Sequence, residues 1–172
     1  HEKGNEKPGR QHTLDEEYYE RIAAMDYAMT HDDGQATWNL EEADVVILGV
    51  SRTSKTPTCI YLANRGITAA NIPIILGHDI PEEVFTLENP LLIGLIKDSK
   101  SLVQVRRNRL RMLREKEETN YIDPEVVNEE VNFARQLFTH KKINVIDVSR
   151  RSIEETAAAI MQYHNQFIER KS

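Results

Sequence analysis

A chain of 172 residues, 40% hydrophobic and 29% charged with few glycines and prolines, has the composition of one soluble globular domain, neither disordered nor fibrous. Its formal net charge of −6 argues against a general nucleic-acid binder, which needs a basic surface to meet phosphate backbones. No apolar run approaches the ~20 residues of a membrane span and no secretory leader precedes the first predicted helix, so a cytoplasmic protein with no membrane role is expected. The single cysteine, Cys59, has no partner for an internal disulfide and reads as a buried structural thiol.

The opening "HEKGNEKPGRQH" is almost wholly polar and lacks an initial Met. Residues 1–12 therefore read as a flexible N-terminal segment of a truncated chain or a natural tail, and 13–172 as one domain. "TLDE" at 13–16 has the form of a capping box, and Leu14, Tyr18, Ile22, Met25 and Met29 follow at helical spacing on one face, predicting a helix over 14–30. "ADVVILGV" at 43–50 is a continuous apolar run, as in a strand buried on both faces. Pro57 suits the first turn of the next helix and Gly66 its end. "NIPIIL" at 71–76 predicts a second strand, which Pro73 pushes toward an edge, and "LLIGLI" at 91–96 a third. Asp98 or Ser99 caps a long helix after it. Asp123 and Pro124 open another, with Val127, Val131, Ala134 and Phe138 on its inner face. "INVIDVS" at 143–149 is a fourth strand, and Ser152 with Glu155 forms a capping box for the last helix. Short strands separated by helices predict an α/β fold, a parallel sheet flanked by helices on both faces.

In such folds ligands collect where the carboxyl ends of strands lead into helix amino termini. "GVSRTSKT" lies at such a place. On the phosphate-loop pattern G-x4-G-K-[ST] it supplies Gly49, the spacers Val50, Ser51, Arg52 and Thr53, then Ser54 in place of the second glycine, Lys55 and Thr56. The expected fold is accordingly P-loop-kinase-like. Loop N–H groups and the helix dipole favour an anion there, Lys55 adds a compact charge, Arg52 a second clamp, and Thr56 a ligand for Mg2+. Ser54 is expected to keep a more restricted backbone than the glycine it replaces and to offer its hydroxyl. The competing reading is a polar turn whose hydroxyls cap the helix, with Lys55 in solvent; the setting between a buried strand and a helix favours phosphate.

In "SLVQVRRNRLRMLREK", steps of ~100° per residue put Leu102, Val103, Leu110 and Leu113 on one side, and Arg106 and Arg109 fall within it. A guanidinium there needs a partner, either a phosphate or an internal carboxylate. Asp147, at the end of a strand, could hold Mg2+ or cap its own turn. "HDDGQ" gathers His31, Asp32 and Asp33 as acid/base or metal-ligand groups, or else marks a helix terminus followed by an Asp-Gly turn. Zinc-type Cys/His spacing and a G-x-S-x-G nucleophile elbow are both absent from the sequence.

"RQHTLDEEYYERI", "HDDGQ", "ADVVILGVSRTSKTPTCIYLANRG", "LVQVRRNRL" and "VIDVSRRSIEETAAAI" together resemble the pyruvate, phosphate dikinase regulatory proteins and the related phosphoenolpyruvate synthase regulatory proteins, from about residue 9 onward. Members of that family are longer at the amino terminus, so the chain is similar to their carboxy-terminal, nucleotide-binding portion. The resemblance implies a bifunctional enzyme. It uses ADP as phosphoryl donor to phosphorylate and inactivate the dikinase on a threonine near its catalytic histidine. It then removes that phosphate with inorganic phosphate, releasing pyrophosphate. Gly49 to Thr56 matches the family's nucleotide-binding segment, Ser54 included. The expected roles place Lys55 and the loop amides on the nucleotide, Thr56 with Asp147 on Mg2+, and Arg106 and Arg109 on the acceptor-side phosphate, with Asp32 or Asp33 as base. Three alternatives stay open: the same chemistry on phosphoenolpyruvate synthase, a small-molecule kinase, and a fragment that binds nucleotide or docks the partner without activity.

Overall fold

Strands built from continuous apolar runs must be covered on both sides. The computed structural model describes residues 10–32, 39–113 and 119–172, except the side chains of 10–14 and 119. Among them are four strands, β1 (Val45–Gly49), β2 (Ala69–Pro73), β3 (Leu91–Ile96) and β4 (Asn144–Asp147), in one parallel sheet of order β2-β1-β3-β4. The helices are α1 (Arg10–Thr30), α2 (Lys55–Asn64), α3 (Glu82–Phe85), α4 (Ser99–Met112), α5 (Thr119–Ile122), α6 (Pro124–His140) and α7 (Ile153–Lys171), with a 3-10 turn at Leu40–Glu42.

Alternate residues of β1 serve opposite faces. Val46 and Leu48 join Leu102, Val103, Val131 and Phe138 in one buried cluster, whereas Val45 and Ile47 join Ala28, Cys59, Leu62 and Ile160 in another. Helices α4 and α6 thus cover one face, and α1, α2 and α7 the other. Phe138 of α6 sits over β3 where Gly94 leaves room, since a Cβ at that position would lie 2.6 Å from its ring. Three of the expected caps are present. Asp98 accepts from the Ser101 amide at 2.7 Å, Asp123 accepts from the Glu125 amide at 2.9 Å, and Ser152 and Glu155 close a reciprocal capping box.

Helix α1 departs from the sequence pattern. It starts at Arg10, so "TLDE" lies inside the helix and 10–12 are helical, while 1–9 lie outside the described residues. Tyr18, Ile22 and Met29 of the expected stripe are 54%, 50% and 67% exposed, and the buried positions are Ala24 and Ala28. The reason is close packing of α1 on α2, where small side chains let two helix axes approach. Strand β2 runs over Ala69–Pro73 instead of 71–76, and β1 and β4 are each shorter than their apolar runs. The Ile74 amide still donates to Gly49 O at 2.9 Å. Because successive residues of a strand point to opposite sides, Pro73 turns its missing donor to the open edge of the sheet.

The strand order creates one special crevice. From β1 the chain passes through α2 to β2 on one side, then crosses back so that β3 lies on the other side of β1. Helices α2 and α4, which follow β1 and β3, therefore leave on opposite faces, and the gap between their starts is the topological switch point where ligands bind in open α/β sheets.

Two substitutions test this scaffold. Asp98→Ala should cost about 1 kcal/mol at neutral pH. The Ser101 amide, and after it the Ser101 hydroxyl, holds the Asp98 carboxyl below its ordinary range. Its contribution is therefore full above about pH 4 and fades as pH falls through the lowered folded-state value. Urea unfolding at neutral and acid pH should show the gap to the parent closing in acid. Gly94→Ala should cost about 1–3 kcal/mol by overpacking against Phe138, seen as a lower urea midpoint.

Candidate functional site

The loop after β1 owes its shape to Gly49. A Cβ there would lie 2.8 Å from Thr53 Oγ1 and 3.0 Å from Leu95 O, so only glycine lets the loop fold back onto β3. Within the loop Val50 O accepts from Thr53 Oγ1 at 2.9 Å and from Lys55 Nζ at 3.0 Å. Arg52 and Ser54 take the left-handed conformation, with φ of 68° and 65°. Ser54 thus adopts the backbone of the glycine it replaces, contrary to the restricted geometry expected of it. Its hydroxyl makes no cap bond to α2. Among the described residues, the N–H groups of Arg52 and Ser54 donate to no protein acceptor. Left-handed residues that leave such amides free are the ingredients of a backbone anion nest.

This loop and the amino terminus of α2 line a cavity of about 460 Å³. Ser51, Arg52, Ser54, Lys55, Thr56 and Pro57 form one wall; Pro73, Ile74 and Ile75 beyond β2 and Val105 of α4 form the other. Lys55 is buried, with its ammonium bent back over the loop to Val50 O.

The segment after α1 closes on the same site. His31 is buried, stacked on Tyr27 with centroids 3.8 Å apart, and its carbonyl accepts from the Asn71 amide on the open edge of β2. That contact brings Asp32 to the loop: Asp32 Oδ1 accepts from Thr56 Oγ1 and from Asn71 Nδ2, both at 2.6 Å. Asp33 lies outside the described residues.

Three expected site residues go elsewhere. Arg106 is 1% exposed and meets a carboxylate, not a free anion: its Nη2 lies 2.6 Å from Glu130 Oε2. Arg109 is exposed on α4, between the buried Arg106 and Leu110, and does not line the cavity. Asp147 accepts from the Ser149 amide at 2.9 Å and from the Ser149 hydroxyl at 2.5 Å, and lines a separate polar cavity with Asp98, Arg150 and Arg151. Thr56 is paired with Asp32, not Asp147, since two strands separate β4 from the edge where α1 ends.

The pattern of the kinase/pyrophosphorylase family matches residues 1–161. The chain belongs to that family. Among its relatives, proteins named pyruvate, phosphate dikinase regulatory protein are 54% identical in Rhodospirillum rubrum and 52% identical in Erythrobacter litoralis, each over 93% of this chain and 58% of the relative. One from Maricaulis maris is 56% identical over 90% of this chain and 55% of its own length. The chain thus spans little more than half the length of these relatives.

Sequence reasoning missed Asn71 and Glu130. A single amide within the apolar "AANIP" was the available signal for Asn71, which is 1% exposed. Glu130, one residue before the buried Val131, carried no comparable mark. The loop geometry makes a direct prediction. Because Ser54 holds a left-handed backbone and gives no cap bond, Ser54→Gly should raise stability by up to about 1 kcal/mol, read as a higher urea midpoint.

Proposed function

We propose that this chain carries the nucleotide- and phosphate-handling site of a bifunctional regulator of pyruvate, phosphate dikinase, the protein named in its relatives. In one direction the β-phosphoryl group of ADP passes to a threonine hydroxyl of the dikinase; AMP leaves and the hydroxyl proton goes to a base. In the other, inorganic phosphate attacks the phosphothreonine phosphorus, the threonine oxygen regains a proton, and pyrophosphate leaves. The observation that carries this reading is the loop from Gly49 to Thr56, which with the start of α2 lines a cavity beyond the carboxyl end of β1, Lys55 among its lining residues. Both reactions move a phosphoryl group between anionic oxygens, which requires alignment and charge neutralisation.

Lys55 and the loop amides take the nucleotide phosphates, and Arg52, exposed on the cavity rim, meets the acceptor-side phosphate in place of Arg106 and Arg109. The donors at Thr56 fit Mg2+. They are hard oxygens, and a hydroxyl whose proton is committed to Asp32 has lone pairs left for a cation. Bound Mg2+ would neutralise phosphate charge there. Asp32 Oδ2, which makes no bond among the described residues, accepts the threonine proton while Thr56 and Asn71 fix Oδ1. Phosphoenolpyruvate synthase is the alternative protein substrate. Because the chain covers 58% of two relatives, a second reading is that it binds nucleotide and transfers nothing by itself.

Lys55→Ala should lower both rates by roughly 100-fold or more. Asp32→Asn should be comparably damaging to the kinase direction, and Asp147→Asn should leave it intact. Phosphothreonine formation on the dikinase with ADP, and pyrophosphate release with inorganic phosphate, measure the two directions. Parent rates in Lys55→Ala would overturn the assignment. Calorimetric ADP binding without transfer selects the binding-only reading, and turnover of small acceptors without protein selects a small-molecule kinase.

A further inference from the structure

A buried guanidinium is stable only where acceptors surround it, so its acceptors reveal what it holds together. Arg106 is the largest fully buried side chain of the described residues. Besides Glu130, its Nη2 donates to Ser51 O at 3.3 Å and its Nη1 to Tyr121 O at 3.1 Å, and its guanidinium carbon lies 4.8 Å from the centre of the Tyr121 ring. One cation on α4 thus joins α5, α6 and the loop after β1. Ser51 O accepts from no other donor among the described residues.

The direction of that bond matters. Ser51 C=O and Arg52 N–H belong to one planar trans peptide unit and point opposite ways. Holding the oxygen toward Arg106 turns the Arg52 N–H the other way, and that N–H has no protein acceptor among the described residues. We propose that Arg106, fixed by Glu130, is a positioning residue that sets the Ser51–Arg52 peptide so that the loop presents its amides to an anion. This rests on the reading of the loop as a phosphate site. Arg106 itself touches no substrate.

The test uses Arg106→Lys and Glu130→Gln in the ligand-free protein and with ADP. Backbone order parameters at residues 51–54 should fall from the rigid value of about 0.85 toward 0.6 in Arg106→Lys, with α7 unchanged. The ADP dissociation constant should rise about tenfold while melting stays cooperative, and Glu130→Gln should move both readouts the same way by less. Loop order and ADP affinity equal to the parent in Arg106→Lys would reduce the arginine to a core pillar and end the proposal. If Arg106→Lys does not fold, Glu130→Gln decides by the same readouts, and parent values there overturn it. Failure of the parent to bind ADP would sink the phosphate reading, whereas the ligand-free order parameters still judge the brace.

Discussion

The site depends on one steric constraint, the absence of a side chain at residue 49. With Thr53 Oγ1 and Leu95 O at 2.8 and 3.0 Å from where a Cβ would be, the chain leaving β1 can double back tightly enough for α2 to begin at Lys55. This is a matter of close approach, not of a glycine-only backbone angle. The unusual angles lie further on, at Arg52 and Ser54, in residues that bear side chains. Each left-handed residue costs about 1–2 kcal/mol, and such strain persists only where the surroundings over-determine it. Here the surroundings are Gly49 on one side, the bonds converging on Val50 O within the loop, and the Arg106 contact to Ser51 O on the other.

The two buried cations next to this loop differ in whether they reach the cavity, and that difference sorts their roles. Arg106 is paired with Glu130 at 2.6 Å, and breaking a buried ion pair costs about 3–5 kcal/mol. A phosphate is a poor competitor for that guanidinium. Lys55 lines the cavity and donates to Val50 O at 3.0 Å. The arginine is thus fixed in the core, and the lysine stands at the cavity wall.

A second arrangement follows from the open edge of the sheet. Among the described residues strand β2 has a strand neighbour only on its β1 side, so the outward Asn71 amide needs an acceptor, and His31 O supplies it. Covering that edge draws the end of α1 against the start of α2, which is how a carboxylate 24 residues before Thr56 comes to accept its hydroxyl. The small residues Ala24 and Ala28 belong to the same arrangement, since they let α1 lie close enough to α2 for Asp32 to reach.

The sequence by itself determined the layered α/β fold, the chain order of its four strands and of the helices α1, α2, α4, α6 and α7, the caps at Asp98, Asp123 and Ser152, and the place of the loop from Gly49 to Thr56. All of these follow from local signals: apolar runs, side chains that reach amides two or three residues away, and a glycine between strand and helix. The tertiary structure decided everything that depends on which strand lies beside which. It paired Thr56 with Asp32 instead of Asp147, gave Arg106 to Glu130, left Arg109 in solvent, and buried the alanines of α1 in place of its larger apolar residues. Helical spacing shows that a side chain shares an apolar face, but the identity of the group opposite belongs to a distant part of the chain, and only the crossing of β3 over β1 fixes it.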